Sequence, residues 1–350
     1  MLQLSHVFQP LMAIMLAIAA ADLGREELAM DRYLSSLRGL QEALAEVTDA
    51  GNEDGFLATT IFLCVFEVSN RHPSHRDLQS ELLKHGQNLR SDGPPSIGLH
   101  AKAAGVLLSR RHTGEASQSL SQPDMVFERT CAESFLYHST LTMLLDPSLD
   151  LVIGNIPRCL VNMPAHTSRE EQDVPHFVLE ESYRFFIMIA EVTCLARLSR
   201  PLCPAEWQTW IRLQAELLQY QLIGCMEDRM KNLYVYNLQI LLLKADSMRT
   251  VIQRTTEMRA LLQKGLSTLE TLDVQRYLIG YSIWPMAVLG AIALGEDEQR
   301  MIDGIIDPWA RGGRGQAVRL RGRLKTIWAT PEDNHETYLL RRLHLLMEMS

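Results

Sequence analysis

The residues of this chain that could do chemistry are scattered, and their spacing excludes most mechanisms a sequence can display. Gly280-Tyr281-Ser282-Ile283-Trp284 begins like a nucleophile elbow, which presents a serine on a tight strand-to-helix turn. Trp284 stands where the second glycine is required, and the surrounding residues read as helix. The six cysteines, Cys64, Cys131, Cys159, Cys194, Cys203 and Cys225, never stand two or three residues apart. Neither a zinc finger nor a redox pair can be written from them. A long chain rich in apolar residues needs no disulfide staples, so they read as buried thiols in a reducing compartment. His72 and His75 are three residues apart, but Pro73 interrupts the helix that would hold both imidazoles on one face.

Larger motifs are equally sparse. No GxGxxG, GxxxxGK[ST] or HExxH occurs, and no motif calls for a cofactor or a metal. A terpene cyclase would hold magnesium through carboxylates clustered on a helix. Of the nearest stretches, Asp146-Pro147-Ser148-Leu149-Asp150 is broken by proline. Glu296-Asp297-Glu298 follows Gly295 as acidic first-turn residues that oppose a helix dipole. One basic stretch, Arg311, Arg314, Arg319, Arg321, Arg323 and Lys325, could touch phosphates or an acidic partner. It lacks the interleaved aromatics of single-stranded nucleic-acid grooves and reads as solvated loop and helix face.

The elements that would position these residues are helices. The chain has 350 residues, 47% hydrophobic but only 7% aromatic, and unbranched side chains favour helix. Its net charge of -8 provides no overall basic field for nucleic acid. Leu28, Leu34, Leu37, Leu40, Leu44 and Val47 form one helical stripe, and Met258, Leu261, Leu262, Leu266, Leu269 and Leu272 another. Pro204 suits the first turn of a helix carrying Trp207, Trp210, Ile211, Leu217 and Leu218. Pro175 precedes an apolar helix running past Phe185, Phe186 and Ile189. The run from Val7 to Ala21 is shorter than the ~20 residues that span a bilayer and has no basic flank, so a buried core helix is expected and no membrane partner.

Breaks fall at Gly51-Asn52, His72-Pro73, Gly93-Pro94-Pro95, Asp146-Pro147, Pro201 to Pro204 and Gly312-Gly313. About a dozen helices lie between them. The runs Ile61 to Val68 and Leu151 to Ile156 are ambiguous by period and, without hairpin chemistry, are read as helical or irregular. The polar segment Pro164 to Pro175 reads as a mobile surface loop. None of the breaks is long enough for a flexible inter-domain linker, so residues 1–350 are expected to form one domain. A faint tetratricopeptide-like stretch from Leu23 to Leu37 does not recur, which excludes a solenoid.

Four segments, in order, resemble the fungal-specific regulatory domain of zinc-cluster transcription factors. Phe8 to Glu46 carries an apolar helix ending in small residues, then a helix with Tyr33 and regular leucines. Asp54 to Val68 matches an apolar helix ahead of a connecting loop. His100, Ala103, Ala104, Leu107 and Leu108 resemble the family's histidine, small pair and leucines, although His100-Ala101-Lys102-Ala103 departs from the usual histidine-to-glycine-alanine arrangement. Ile283-Trp284-Pro285, Arg300 to Ile302 and Ile327-Trp328 complete the order. The family's six-cysteine DNA-binding head has no counterpart here, which leaves a truncated factor and a stand-alone relative both open.

The resemblance implies an all-α multi-helical bundle that regulates transcription in the nucleus, with the cytoplasm as the other location. It would act by sensing an apolar small-molecule effector or by contacting the transcription machinery or a full-length factor. It would not read DNA sequence by itself. Phe66, His100, Phe135, Tyr183 and Trp284 are the candidate pocket residues by type and position. Sixteen methionines suit an adaptable apolar pocket and equally plain core filling. Two alternatives remain: a secondary-metabolism cyclase or isomerase on the recruited fold, and a dimerisation module.

Overall fold

A computed structural model describes residues 2–45, 53–70, 100, 103–108, 122–145, 183–223, 229–272, 279–312, 315–331 and 337–348. Among these residues the protein is all-α: helices joined by turns and short connections, with no strand. The helices are α1 (Leu2–Val7), α2 (Gln9–Asp22), α3 (Glu26–Ala45), α4 (Glu53–Asn70) and α5 (Gln122–Thr142). They continue with α6 (Tyr183–Arg197), α7 (Pro204–Ile223), α8 (Arg229–Ala245) and α9 (Val251–Thr271). The last four are α10 (Ile279–Ile292), α11 (Glu296–Arg311), α12 (Gly315–Trp328) and α13 (Tyr338–Glu348). His100 and residues 103–108 are also helical. The run from Ile61 lies within α4; Leu151 to Ile156, Pro164 to Pro175 and the His72-Pro73 and Gly93-Pro94-Pro95 breaks lie outside the described residues.

The described residues cluster into two compact units. The first holds α1 to α4, the short helical stretch with His100, α5 as far as Ser139, and residues 315–316. The second holds the end of α5 from Thr140 and the rest of α6 to α13.

In the first unit, α2 is the centre. It is apolar nearly all round and buries Leu11, Ile14, Ala17 and Ala20, packing against both α3 and α4. Gly24 follows it with φ of +69°, a left-handed conformation that favours glycine. Arg25 N–H donates to Ala20 O at 2.9 Å and Gly24 N–H to Ala21 O at 3.0 Å, closing the end of α2. The face that α3 buries corrects the leucine stripe expected from the sequence only in part: Leu40 is buried and Leu34 and Leu37 pack partly buried on the core as expected, and Val47 lies outside the described residues. Ala29, Tyr33, Ser36 and Leu40 point inward, whereas Leu28 and Leu44 are exposed. Close helix contact selects small residues where α3 meets Pro10 of α2. A Cβ at Gly39 would lie 3.2 Å from Pro10, and the Ser36 hydroxyl donates to Pro10 O at 2.8 Å.

In the second unit, α8 packs against α6, α7, α9 and α10 and is buried along most of its length. The stripe on α9 is as expected, with Met258, Leu262, Leu266, Leu269 and Leu272 buried. Thr250 opens α9 with a reciprocal capping box: its hydroxyl accepts from Gln253 N–H, and Gln253 Oε1 accepts from Thr250 N–H at 3.0 Å. Pro204 is the first residue of α7, as expected. No helix among the described residues is long and apolar enough to cross a membrane.

Candidate functional site

The first unit places a carboxylate inside its apolar core. Thr60, Cys64 and Glu67 share one face of α4 at helical spacing, and all three are buried. Tyr33, delivered by the inward face of α3, donates its hydroxyl to Glu67 Oε1 at 2.7 Å. The Tyr33 ring stacks on Phe66 with centroids 4.9 Å apart and planes 17° apart. His100 Nδ1 approaches Glu67 Oε1 to 2.9 Å, but its N–H is not aligned to donate. Glu67 Oε2 has no hydrogen-bond partner among the described residues, nor has Thr59 Oγ1.

Glu67 is only 7% exposed yet receives one well-formed hydrogen bond. An unsatisfied buried polar group costs about 1–3 kcal/mol, more when charged, so the cluster is a place where the fold holds back stability. Its field is felt nearby: burial first, and the Glu67 charge second, push the Cys64 thiol far above its usual value. Cys64 is therefore an uncharged thiol with no nucleophilic character.

The candidate pocket residues divide between the units. Phe66 and His100 meet through Tyr33 and Glu67. Phe135, buried on α5, lies beside the short helix that follows His100: a Cβ at Gly105 would sit 3.4 Å from its ring. Tyr183 is the first residue of α6, and its side chain lies outside the described residues. Trp284 is fully buried in the second unit, stacked parallel on Tyr234 at 5.2 Å, and its Nε1 has no partner among the described residues. The sequence reading missed Tyr33 and Glu67. Glu67 carried a signal, as the lone charge in the run from Gly55 to Val68.

Other features that invited a chemical reading are structural. Ser282 is buried inside α10, so no elbow presents it. In the basic stretch, Arg321 donates to both carboxylate oxygens of Asp303, at 2.6 and 2.9 Å, and pairs with Asp307 at 2.5 Å. The Arg321 bonds hold the Asp303 carboxyl below its usual range. Arg311 also pairs with Asp307. Arg323 donates to Leu145 O at 3.2 Å and Leu346 O at 3.0 Å. These three cations are spent on carboxylates and on carbonyls near helix ends; Arg314 lies outside the described residues. Glu298, in the first turn of α11, accepts from Gly295 N–H and Leu294 N–H and pairs in two-pronged fashion with Arg259. Of the cysteines, Cys64 and Cys131 are buried as expected, but Cys203 is exposed ahead of α7; Cys159 and Cys225 lie outside the described residues.

One of three comparisons with known proteins places the chain. No curated protein matches it, and no solved structure does. A sequence model of the fungal specific transcription factor domain matches residues 1–204, more than half of the chain. That range contains the first three resembling segments, the whole Tyr33–Glu67–His100 cluster and α1 to α6; the fourth segment, from Ile283 to Trp328, lies beyond it. The chain belongs to the fungal specific transcription factor domain family.

Proposed function

We propose that residues 1–350 form one regulatory domain that acts in a fungal nucleus by responding to an apolar small-molecule effector and passing that response to protein partners. Family membership supports the regulatory role. The effector reading is carried by one observation, the under-satisfied Glu67 carboxylate held beside Tyr33, Phe66 and His100. A core that buries a polar group without completing its bonds has a packing that a ligand can improve. Such a ligand shifts the protein toward the state it binds better, by as much as its differential affinity. Nothing in this reading requires the chain to read DNA. Its acidic balance and the wide spacing of its cysteines point to partners for that task.

Two measurements test the proposal. Tethered to an unrelated DNA-binding module in a fungal cell, the chain should change expression of a reporter; no change, with nuclear protein verified, counts against a regulatory role. A thermal-shift screen of apolar metabolites should give at least one saturable rise in melting temperature, because a ligand of the folded state stabilises by mass action. Conversion of a screened compound to a new product would move the reading to an enzyme.

A further inference from the structure

We infer that Glu67 is the recognition group for a cationic amine on an apolar, aromatic-sized body. The inference rests on the effector reading above and adds the chemical class of the effector. Among the described residues, Glu67 Oε2 lacks a partner and the Oε1 atom has one aligned donor, the Tyr33 hydroxyl. A buried carboxylate is compensated only by opposite charge together with hydrogen bonds to its remaining lone pairs. His100 stands at 2.9 Å but does not aim its N–H at the carboxylate, so directional compensation is incomplete. An ammonium group supplies a permanent positive charge and up to three donors that can aim at Oε2, through charge-assisted bonds stronger than those of a hydroxyl.

The surroundings select the rest of the molecule. Tyr33 and Phe66 present stacked rings, with Ala29, Leu40 and Leu63 in the same core cluster. Rings beside a cation add attraction through their negative faces. A carboxylate-bearing ligand would meet Glu67 with like charge. A neutral alcohol could bond to Oε2 but would leave the charge uncompensated. The ligand-free packing carries the unsatisfied oxygen and the bound state relieves it, which gives the differential affinity that a regulatory domain needs.

The test uses the full chain and three probes of matched shape: 2-phenylethylamine, 2-phenylethanol and 3-phenylpropionate. The amine should raise the melting temperature saturably by at least about 2 °C at high excess, and the other two by less. Glu67→Gln keeps the side chain's shape and removes its charge, and it should abolish the amine shift. If that variant does not fold, Tyr33→Phe serves: it removes the competing donor and frees Oε1, so the amine shift should persist or grow. An amine shift that survives in Glu67→Gln, or is lost in Tyr33→Phe, overturns the assignment. Equal shifts from amine and alcohol overturn the amine class while leaving the effector reading standing. No shift from these probes or from the wider metabolite screen removes the assignment and the effector reading together.

Discussion

Burial lowers the Lys244 ammonium from its usual 10.5 to about 8, with repulsion from Arg254 and Arg197 adding to the loss of hydration and Glu348 opposing it. The side chain is held at the end of α8, where its ammonium donates to Ala196 O. The sign of the linkage is fixed by which state binds more protons. Between about 8 and 10.5 the unfolded chain keeps the lysine proton and the folded chain releases it. Stability attributable to this residue therefore rises with pH across that window, and below pH 8 the cost of burying the charge is fully present. Denaturant unfolding at pH 7, 8, 9 and 10 should show the native chain gaining stability relative to Lys244→Met as pH rises, because the buried Cys64 thiol, which costs stability at high pH, is common to both. An equal slope in both would assign it to other groups.

Two helix contacts of this protein rest on small residues or on a donor lent by another helix: the approach of Gly55 to Phe8 and the end of α10. Both features yield contrasts between chemically similar substitutions. A Cβ at Gly55 would lie 2.6 Å from Cγ of the Phe8 ring, itself buried and packed edge-on against Phe56 at 5.2 Å. At Gly304 in α11 and Gly322 in α12 a Cβ would meet nothing within 4 Å. Gly55→Ala is therefore expected to destabilise by about 1–3 kcal/mol through overpacking. Gly304→Ala and Gly322→Ala should each stabilise by about 0.4–1 kcal/mol through reduced unfolded-state entropy. Urea midpoints of the three variants decide it; a stabilised Gly55→Ala would mean that α1–α2 and α4 part easily.

The end of α10 is closed by side chains from three other helices, because the last carbonyls of a helix have no partner within it. Trp328 Nε1 donates to Gly290 O at 2.8 Å, Arg342 to Ala293 O at 2.5 Å, and Gln299 to both Ala293 O and Leu294 O. Arg342 is itself buried, under a hydrogen bond to the Tyr338 hydroxyl at 2.8 Å. Trp328→Phe keeps an aromatic ring and removes the indole donor. The expected loss is about 1–3 kcal/mol, the cost of an unsatisfied buried carbonyl, read as a lower urea midpoint with an unchanged slope.

At the scale of the whole molecule, the family match ends at residue 204, the second unit runs to the C-terminus, and α6 connects the two facts. α6 buries Phe185, Met188, Ile189 and Val192 against α7 and α8, and all of α8 lies beyond the match. A fragment ending at residue 204 would leave that face in water, a contiguous apolar patch of the kind that drives association. It should elute as aggregates and bind a hydrophobic dye, whereas the full chain should not. One regulatory domain also predicts a single cooperative calorimetric transition for residues 1–350. Two resolved transitions, with a monomeric 1–204 fragment, would instead make the units independent domains.

The all-α class, the start of α7 at Pro204, the inward stripe of α9 and the family itself were legible in the residues, because periodicity, helix-start chemistry and the order of core types are local properties. The face of α3 was legible only in part. Of the leucine stripe, Leu40 is buried and Leu34 and Leu37 pack partly buried on the core, but Leu28 and Leu44 are exposed, and Ala29, Tyr33 and Ser36 complete the buried face where α2 approaches closely. The fate of the basic stretch was not legible: Arg321 is bound by Asp303 and Asp307 of α11, and Arg323 by carbonyls of Leu145 and Leu346, all supplied by other elements. Of the candidate site, the sequence offered Phe66 and His100 by type alone. That Tyr33, Glu67 and His100 converge on one buried carboxylate depends on contacts across 34 and 33 positions of chain. A hydrogen bond left unmade in a core is a property of packing, so only the tertiary structure could reveal it.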